Sequence, residues 1–354
     1  MALCTEKNMN ILVAGGSGFI GTSFINKVFY ETDYNICNLD KLTYAASNSF
    51  SEEIIKSKRY SFIKKDICDA NLINLFEKFN PDIIINFAAE SHVDNSINSP
   101  KAFLKTNIFG TFNLIQNTSQ FLSKQQTKNK MNFKFIQIST DEVFGDLNDS
   151  TEIYFDEESN YNPSSPYSAT KAAADHLIAS WQRTYEFPAI KINCSNNYGP
   201  YQNREKLIPL VITNAIQGKK IPIYGNGKQK RDWIFVEDHA EALIKIVKEA
   251  KVNSKYNIGA RNILTNLDLV KNICQILDKV FPPSKNNFLK QNLQSYYELV
   301  IYVKDRPGHD VFYGINPKKI ERELNWRPKV SLEQGLTKTI KWYVDMIKKE
   351  HQNE

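Results

Sequence analysis

The sequence predicts an α/β protein, a doubly wound parallel sheet followed by a smaller C-terminal lobe. Three observations predict it. Short apolar runs at 10–14, 34–39, 60–65, 82–87 and 133–138 alternate with longer amphipathic stretches, as buried parallel strands alternate with helices. A glycine-rich turn joins the first run to the first amphipathic stretch. Beyond Tyr198-Gly199-Pro200 the alternation becomes irregular, which suggests a lobe laid over the sheet.

The first unit, Asn10 to Ala14, runs directly into Gly15-Gly16-Ser17-Gly18-Phe19-Ile20-Gly21 and then a helical pattern through Tyr30. Strand, glycine turn and helix in that order form the Rossmann-type dinucleotide fingerprint. Gly15 allows the turn, Gly18 lets backbone approach a pyrophosphate, and Gly21 lets the helix pack closely. The second run ends in Asp40, near the expected distance for the acid that grips an adenosine ribose. An acid there favours NAD over NADP, although Lys41 beside it offers a contrary charge.

The third run leads into Asp66-Ile67, which reads as an adenine-edge contact or as a helix-capping Asp. The fourth ends in Ala88-Ala89, small enough for a flat ligand to lie against the strand end. Thr106-Asn107 opens a predicted helix running to about Leu122, and the polar segment 124–132 reads as a solvated loop.

The fifth run, Phe133 to Ile138, precedes Ser139-Thr140-Asp141-Glu142-Val143. Adjacent carboxyl groups are usually exposed, but these follow a buried strand in the ligand crevice. Pro163-Ser164-Ser165-Pro166 then starts a helix bearing Tyr167 and Lys171, which share one face at i and i+4. A free phenol, with a pKa of about 10, is a poor base at neutral pH. A neighbouring ammonium favours the phenolate.

Taken together these runs resemble the extended short-chain dehydrogenase/reductases, and within them the dTDP-glucose 4,6-dehydratase family. Asp40-Lys41-Leu42-Thr43-Tyr44, Ala88 to Asp94, Asn193 to Pro200, Glu205 to Pro209, Pro222 to Gly225, Arg231-Asp232-Trp233, Glu237-Asp238-His239 and Asp305 to His309 extend the likeness from about residue 9 to about 346. The Thr-Asp-Glu run is its specific part, since related sugar epimerases share the Tyr and Lys but usually lack the acid pair. Ala14 and Phe144 depart from the family pattern, where Thr and Tyr are usual.

The resemblance implies that Tyr167 takes the proton of the glucose C4 hydroxyl while hydride passes to NAD. It also implies that Lys171 steadies the phenolate and that Thr140 binds the C4 oxygen. Glu142 then removes the C5 proton, and Asp141 protonates the departing C6 hydroxyl. For the cofactor it implies contacts from Phe19, Ile20, Lys41, Leu42, Thr43, Phe87, Ser91, Thr106 and Asn197, beside the groups above. For the nucleotide sugar it implies Ser91, Asn196, Lys206, Leu207, Pro222, Tyr224, Arg231, Asn266, Asp305, Arg306 and His309. From the residues alone, Arg231 reads equally as a surface ion pair with Asp232. The resemblance leaves dTDP and UDP open as the nucleotide. A 4-epimerase or decarboxylase, or a non-catalytic nucleotide-sugar binder, stands as the competing reading.

The expected division is a NAD-binding domain of 9–197 with 228–258 returning to it, and a substrate lobe of 198–227 and 259–350. The resemblance implies a homodimer, formed through the helix after Thr106 and the helix carrying Tyr167. The net charge of +6, spread without a long basic run, does not point to nucleic acid. Five cysteines without framework spacing, a polar N-terminus and no bilayer-length apolar run fit a cytoplasmic protein with no membrane partner. The five histidines show no metal-ligand spacing.

Overall fold

The computed structural model describes residues 8–47, 49–126, 132–147, 154–289 and 292–352. Cys4 and positions 127–131 of the expected loop lie outside these. Among the described residues twelve strands are formed: β1 Asn10–Ala14, β2 Asn35–Asp40, β3 Tyr60–Lys64, β4 Ile83–Asn86, β5 Lys134–Thr140, β6 Ala189–Cys194, β7 Asn196–Tyr198, β8 Ile221–Tyr224, β9 Lys230–Phe235, β10 Lys255–Ile258, β11 Ile263–Thr265 and β12 Val300–Val303. Seven make one sheet in the order β10-β6-β5-β4-β1-β2-β3, with every neighbouring pair parallel. Strand order reverses between β1 and β4, and the strand ends there open the crevice in which such sheets bind ligands.

The apolar runs are unbroken because helices cover both faces. Ile11, Val13, Ile83, Ile85, Ile136 and Ile138 pack with Phe24, Ile25 and Val28 of the Phe19–Glu31 helix and with the Val236–Glu249 helix. Their alternates Leu12, Ala14, Ile84 and Phe135 pack on the other face with Leu72, Phe76, Leu114 and Ile178. The period-2 alternation of a strand thus feeds two cores rather than a core and solvent.

A separate core gathers the Leu207–Ile216, Asn266–Val280 and Leu332–Gln352 helices around Tyr198, Trp233 and Phe235. Two small sheets, β11-β9-β7 and β12-β8, belong to this side of the molecule. Ser331 caps the last helix as the sequence indicates: Gln334 N–H donates to its hydroxyl at 3.3 Å, and Ser331 N–H donates to the Gln334 side chain at 3.1 Å.

Three local expectations are corrected. The helix placed at Thr106 begins at Pro100, passes through a π-helical stretch over Leu104–Gly110 and continues as Thr111–Ser123; Pro100 after Ser99 is the start signal. The fifth strand runs on through Thr140, so Ser139 and Thr140 lie inside the sheet. The Lys318–Leu324 helix falls within the expected lobe, yet Ile320, Leu324 and Trp326 pack into the main core.

Candidate active site

The crevice is built from its glycines upward. Gly15 has φ +77°, a left-handed conformation that costs glycine little, and its N–H donates to Leu39 O at 2.8 Å. A Cβ on Gly15 would stand 2.5 Å from Ala88 N, and one on Gly21 2.5 Å from Gly15 O, whereas one on Gly18 would meet only Gly15 O at 3.3 Å. Gly15 and Gly21 hold the turn shut against its neighbours, and Gly18 faces open space. This is a cradle that fits a dinucleotide pyrophosphate at a helix N-terminus.

Asp40 ends β2 and accepts the N–H of Ser17 at 3.0 Å and of Leu42 at 2.8 Å, one on each carboxylate oxygen. Each oxygen keeps a lone pair for a further donor. Lys41 points across the groove to Glu90 at 3.4 Å, Asp66 at 3.7 Å and the Thr106 hydroxyl at 3.3 Å. The π-helical stretch places Asn107 so that its Oδ1 accepts Glu90 N–H at 2.8 Å, while its Nδ2 donates to Glu90 O at 3.0 Å and to Thr170 Oγ1 at 2.9 Å. One buried amide therefore ties the end of β4 to the helix that carries Tyr167. π-Helical turns concentrate at functional sites.

Three cavities join into one trench. The first is lined by Gly15, Gly18, Asp40, Lys41, Thr43, Asp66, Ile67, Phe87, Ala88, Ala89 and Thr106. The second shares Gly15, Gly18, Phe87 and Ala89 with it and adds Phe19, Ile20, Gly21, Ser91, Thr140, Glu142, Tyr167, Lys171, Cys194, Asn196, Asn197 and Lys206. The third shares Ser91, Glu142, Asn196, Asn197 and Lys206 with the second and continues past Leu207, Pro222, Tyr224, Arg231, Asn266, Arg306 and His309. Glu142 thus stands where the dinucleotide half meets the second half. Leu42, Asp141 and Asp305 do not line these cavities. Leu42 turns back with φ 57°, and Asp305 lies behind the wall, holding His309 Nδ1 at 2.7 Å and Gln229 Nε2 at 2.9 Å.

Thr140 caps a short 3₁₀ turn over Asp141–Phe144, its hydroxyl accepting Glu142 N–H at 3.3 Å and donating to Asp141 Oδ1 at 3.2 Å. Asp141 is 2% exposed, and its Oδ2 has no partner among the described residues. Burial, then the nearby Glu142 and Asp232, push the Asp141 carboxyl well above its ordinary range, against Arg231 and the Thr140 bond. Burial raises Glu142 as well, but Arg231, Lys206 and Arg306 all oppose it. Both carboxyl groups are raised, but Glu142 faces three opposing cations and Asp141 one, which favours a neutral Asp141 beside an ionised Glu142.

The Tyr167 helix starts where Ser165 and Ser168 cap each other reciprocally, with Pro166 in the first turn. Tyr167 lies in the trench wall, and burial, then Glu142 and Cys194, raise its phenol well above the ordinary value, opposed by a hydrogen bond with Thr140. Lys171 is buried and donates to Ile138 O at 2.6 Å. Lys171 is therefore pinned to the strand, beside a phenol whose surroundings favour its protonated form.

Arg231 is not the surface ion pair that one reading of the sequence allowed. It is 8% exposed and stacks over the Tyr313 ring at 4.1 Å. Its guanidinium donates to Lys230 O at 2.7 Å and Asp310 O at 3.0 Å. Asp232 turns away and accepts Ala260 N–H at 3.0 Å and Asn262 N–H at 2.8 Å. Arg306 lies over the Tyr224 ring at 4.9 Å, with Asp94 at 3.5 Å. Two guanidiniums on one cavity wall suit a diphosphate. Trp233 of the Arg231-Asp232-Trp233 run also lines the trench; Tyr313 and Gln202 line it too and were not singled out from sequence, since no motif spacing ties them to Arg231 or Glu142.

Beside the trench, side chains of the 41–50 and 199–206 loops and of the Val93–Asn98 helix contact one another. Tyr44 Oη donates to Glu205 at 3.4 Å and accepts from Asn95 Nδ2 at 3.2 Å, while Asn203 Nδ2 donates to Tyr44 O at 3.5 Å. Lys206 Nζ donates to Ser91 O at 2.8 Å, and His92 Nε2 stands 3.9 Å from Glu205.

A dinucleotide cradle that opens into a cationic second pocket, with a Tyr-Lys pair at the junction, defines an extended short-chain dehydrogenase/reductase. A family model described as GDP-mannose 4,6 dehydratase matches residues 12–339. A dTDP-glucose 4,6-dehydratase of Haemophilus influenzae is 51% identical over 338 residues, covering 95% of this chain and 98% of its own. The solved dTDP-glucose 4,6-dehydratase of Bacillus anthracis, in complex with NAD, superposes with a TM-score of 0.80 at 38% identity, covering 95% of this chain and 97% of that one. That of Streptomyces venezuelae, with NAD bound, gives 0.83 at 35% identity over the same shares. The chain belongs to the dTDP-glucose 4,6-dehydratase family.

Proposed function

We propose that this protein is a hydro-lyase that converts dTDP-glucose to its 4-keto-6-deoxy sugar and water, with NAD as resident cofactor. The carrying observation is the placement of Glu142, with Asp141 behind it, at the junction of the dinucleotide cradle and the cationic pocket. Bound NAD would supply a hydride acceptor for sugar C4 and, once reduced, a hydride donor for C6. Gly15, Gly18 and Gly21 would seat its pyrophosphate, Asp40 its adenosine ribose, Asp66 and Ile67 its adenine, and Asn197 its nicotinamide end.

Tyr167 removes the C4 hydroxyl proton, and the Lys171 charge favours its ionisation. Thr140 binds the C4 oxygen. The resulting ketone acidifies the C5 hydrogen, which is otherwise far too weak an acid for a carboxylate. Glu142 takes that proton, and Asp141 gives its own to the departing C6 hydroxyl, so the two leave as water. Asp141 stands behind the trench wall and must turn to deliver its proton; the unpartnered Oδ2 leaves it free to do so. Glu142 then returns a proton to C5.

Arg231 and Arg306 hold the diphosphate, Pro222 and Tyr224 flank the base, and Lys206, Leu207, Asn266 and His309 meet the nucleotide. Ser91 and Asn196 face the sugar, and Asp305 acts by holding His309. Residues 9–197 with 228–258 form the cofactor side and 198–227 with 259–350 the substrate side, apart from β9, whose Trp233 and Phe235 pack in the second core, and the 318–326 segment that packs on the main core.

A second copy of the chain fits the exposed face of Leu104, Phe109 and Tyr185, which are 52%, 51% and 63% exposed. Phe112 and Trp181 extend it, with ring centroids 5.9 Å apart. Such a contiguous apolar face marks an interaction site, here between the two helices expected to pair. No described helix is long and apolar enough to cross a membrane. Cys37, Cys68, Cys194 and Cys274 are free thiols, which fits the reducing cytoplasm.

Incubation with dTDP-glucose and with UDP-glucose in parallel, with products identified by mass, tests the assignment. Loss of one water from the dTDP sugar is expected. A product isomeric with its substrate would make the protein an epimerase, and preference for the UDP sugar would correct the nucleotide.

A further inference from the structure

We propose that Asp175 is a positioning residue for this reaction: its buried carboxylate is the counter-charge that keeps Lys171 an ammonium beside Tyr167. The inference rests on the roles given above to Tyr167 and Lys171.

Lys171 and Asp175 lie at i and i+4 of the Pro166–Tyr185 helix, on one face. They are 4% and 0% exposed. The hydrogen bond of Lys171 Nζ goes to the neutral carbonyl of Ile138. A buried ammonium with no opposite charge at hand sheds its proton, and a neutral amine could not favour a phenolate.

Asp175 is held ready for that task. Its Oδ2 accepts from Ser139 Oγ at 2.6 Å and from Tyr161 Oη at 2.9 Å. Both donors are neutral, so neither cancels the charge of the carboxylate. Its Oδ1 has no hydrogen-bond partner among the described residues. The end of β5 fastens both members of the pair at successive residues, Ile138 to the ammonium and Ser139 to the carboxylate. The network also reaches the catalytic turn, because Tyr161 stands 3.5 Å from Asn193 Oδ1 and Asn193 Nδ2 donates to Thr140 O at 3.0 Å.

The other groups facing the pair do not replace it. From β10, Lys255 lies over the Tyr161 ring at 4.6 Å and the Phe144 ring at 4.9 Å. His176 packs on Tyr161 at 5.5 Å between centroids, and Lys191 adds positive charge near Lys255. From β6, Cys194 faces Lys171 with a thiol that burial pushes up to about 12, so it carries no charge at neutral pH. Burial draws Lys171 down, and Asp175 is the foremost group resisting it.

The isosteric Asp175→Asn keeps an oxygen to accept from Ser139 and Tyr161 and removes only the charge. In the NAD-holding enzyme we expect kcat to fall about tenfold or more, with KM for dTDP-glucose within about twofold. The alkaline limb of the pH–kcat bell should move about one unit toward neutral, since Lys171 loses its proton earlier. Thermal unfolding supplies a second readout. Asp175→Asn and Lys171→Met should each lower the midpoint, and the double variant should recover much of the loss, because each single change strands one buried charge. An unmoved alkaline limb in Asp175→Asn, or additive midpoint losses in the double variant, overturn the inference. If Asp175→Asn alone does not fold, a folded double variant supports the pairing and an unfolded one overturns it. Turnover retained by Lys171→Met would instead overturn the reading of the Tyr-Lys pair, so the two failures are distinguishable.

Discussion

Asp141 and Glu142 are adjacent, yet the chain gives them opposite surroundings. Glu142 lines the trench and faces three cationic side chains, whereas Asp141 lies behind it with an unpartnered oxygen. Glu142→Gln should therefore keep NAD and dTDP-glucose binding and lose keto-sugar formation by about 10²–10⁴-fold, the usual weight of a general base; equilibrium binding beside product assay checks the split. For Asp141 the raised pKa sets the sign of a stability effect. A carboxyl whose folded pKa lies above its unfolded value of about 3.9 stabilises the fold fully below that value. The contribution is lost as pH rises through the folded pKa. Asp141→Asn should lower activity and, at pH 8, stabilise the fold by about 1–3 kcal/mol, the cost of an unsatisfied buried polar group. Denaturant unfolding at pH 5 and pH 8 should show the gain growing with pH.

At the scale of elements, the glycine turn separates two kinds of damage. Gly15→Ala forces a side chain into a left-handed conformation and drives its Cβ against the backbone of Ala88, so both folding stability and NAD retention should fall. Gly18→Ala meets little inside the protein. It should leave the unfolding midpoint of the NAD-free chain within a few degrees and still weaken NAD binding, measured by titration. This turn was legible from spacing alone because a tight turn, an open cradle and a close helix contact each demand glycine at a set position. The π-helical stretch was not legible. Its cause is the pairing of Asn107 with Glu90 and Thr170, partners 17 and 63 residues away, and no local propensity encodes that. The same holds for Asp175, whose spacing from Lys171 could be read in the sequence while its burial between β5 and Tyr161 could not.

For the molecule as a whole, the parallel sheet, the Tyr-Lys helix and the acid pair followed from the order of apolar runs and turns. The routing of the last third did not. The Lys318–Leu324 helix returns to the main core through Ile320 and Leu324, a long-range choice that a short amphipathic pattern leaves open. The exposed aromatic face on the helices proposed to pair makes a prediction at this scale. Phe109→Glu with Tyr185→Glu should shift the protein from dimer to monomer in sedimentation velocity and leave the far-UV circular dichroism unchanged, because neither side chain supports the chain's own core. A monomer in the unmodified protein would reject the pairing.

The trench that runs from the dinucleotide cradle into the cationic pocket bears on how the enzyme is supplied. Each catalytic cycle hands back, within that one trench, the hydride it took, so turnover draws on no cellular pool of oxidant. Throughput would therefore be insensitive to the swings of redox metabolism around the protein.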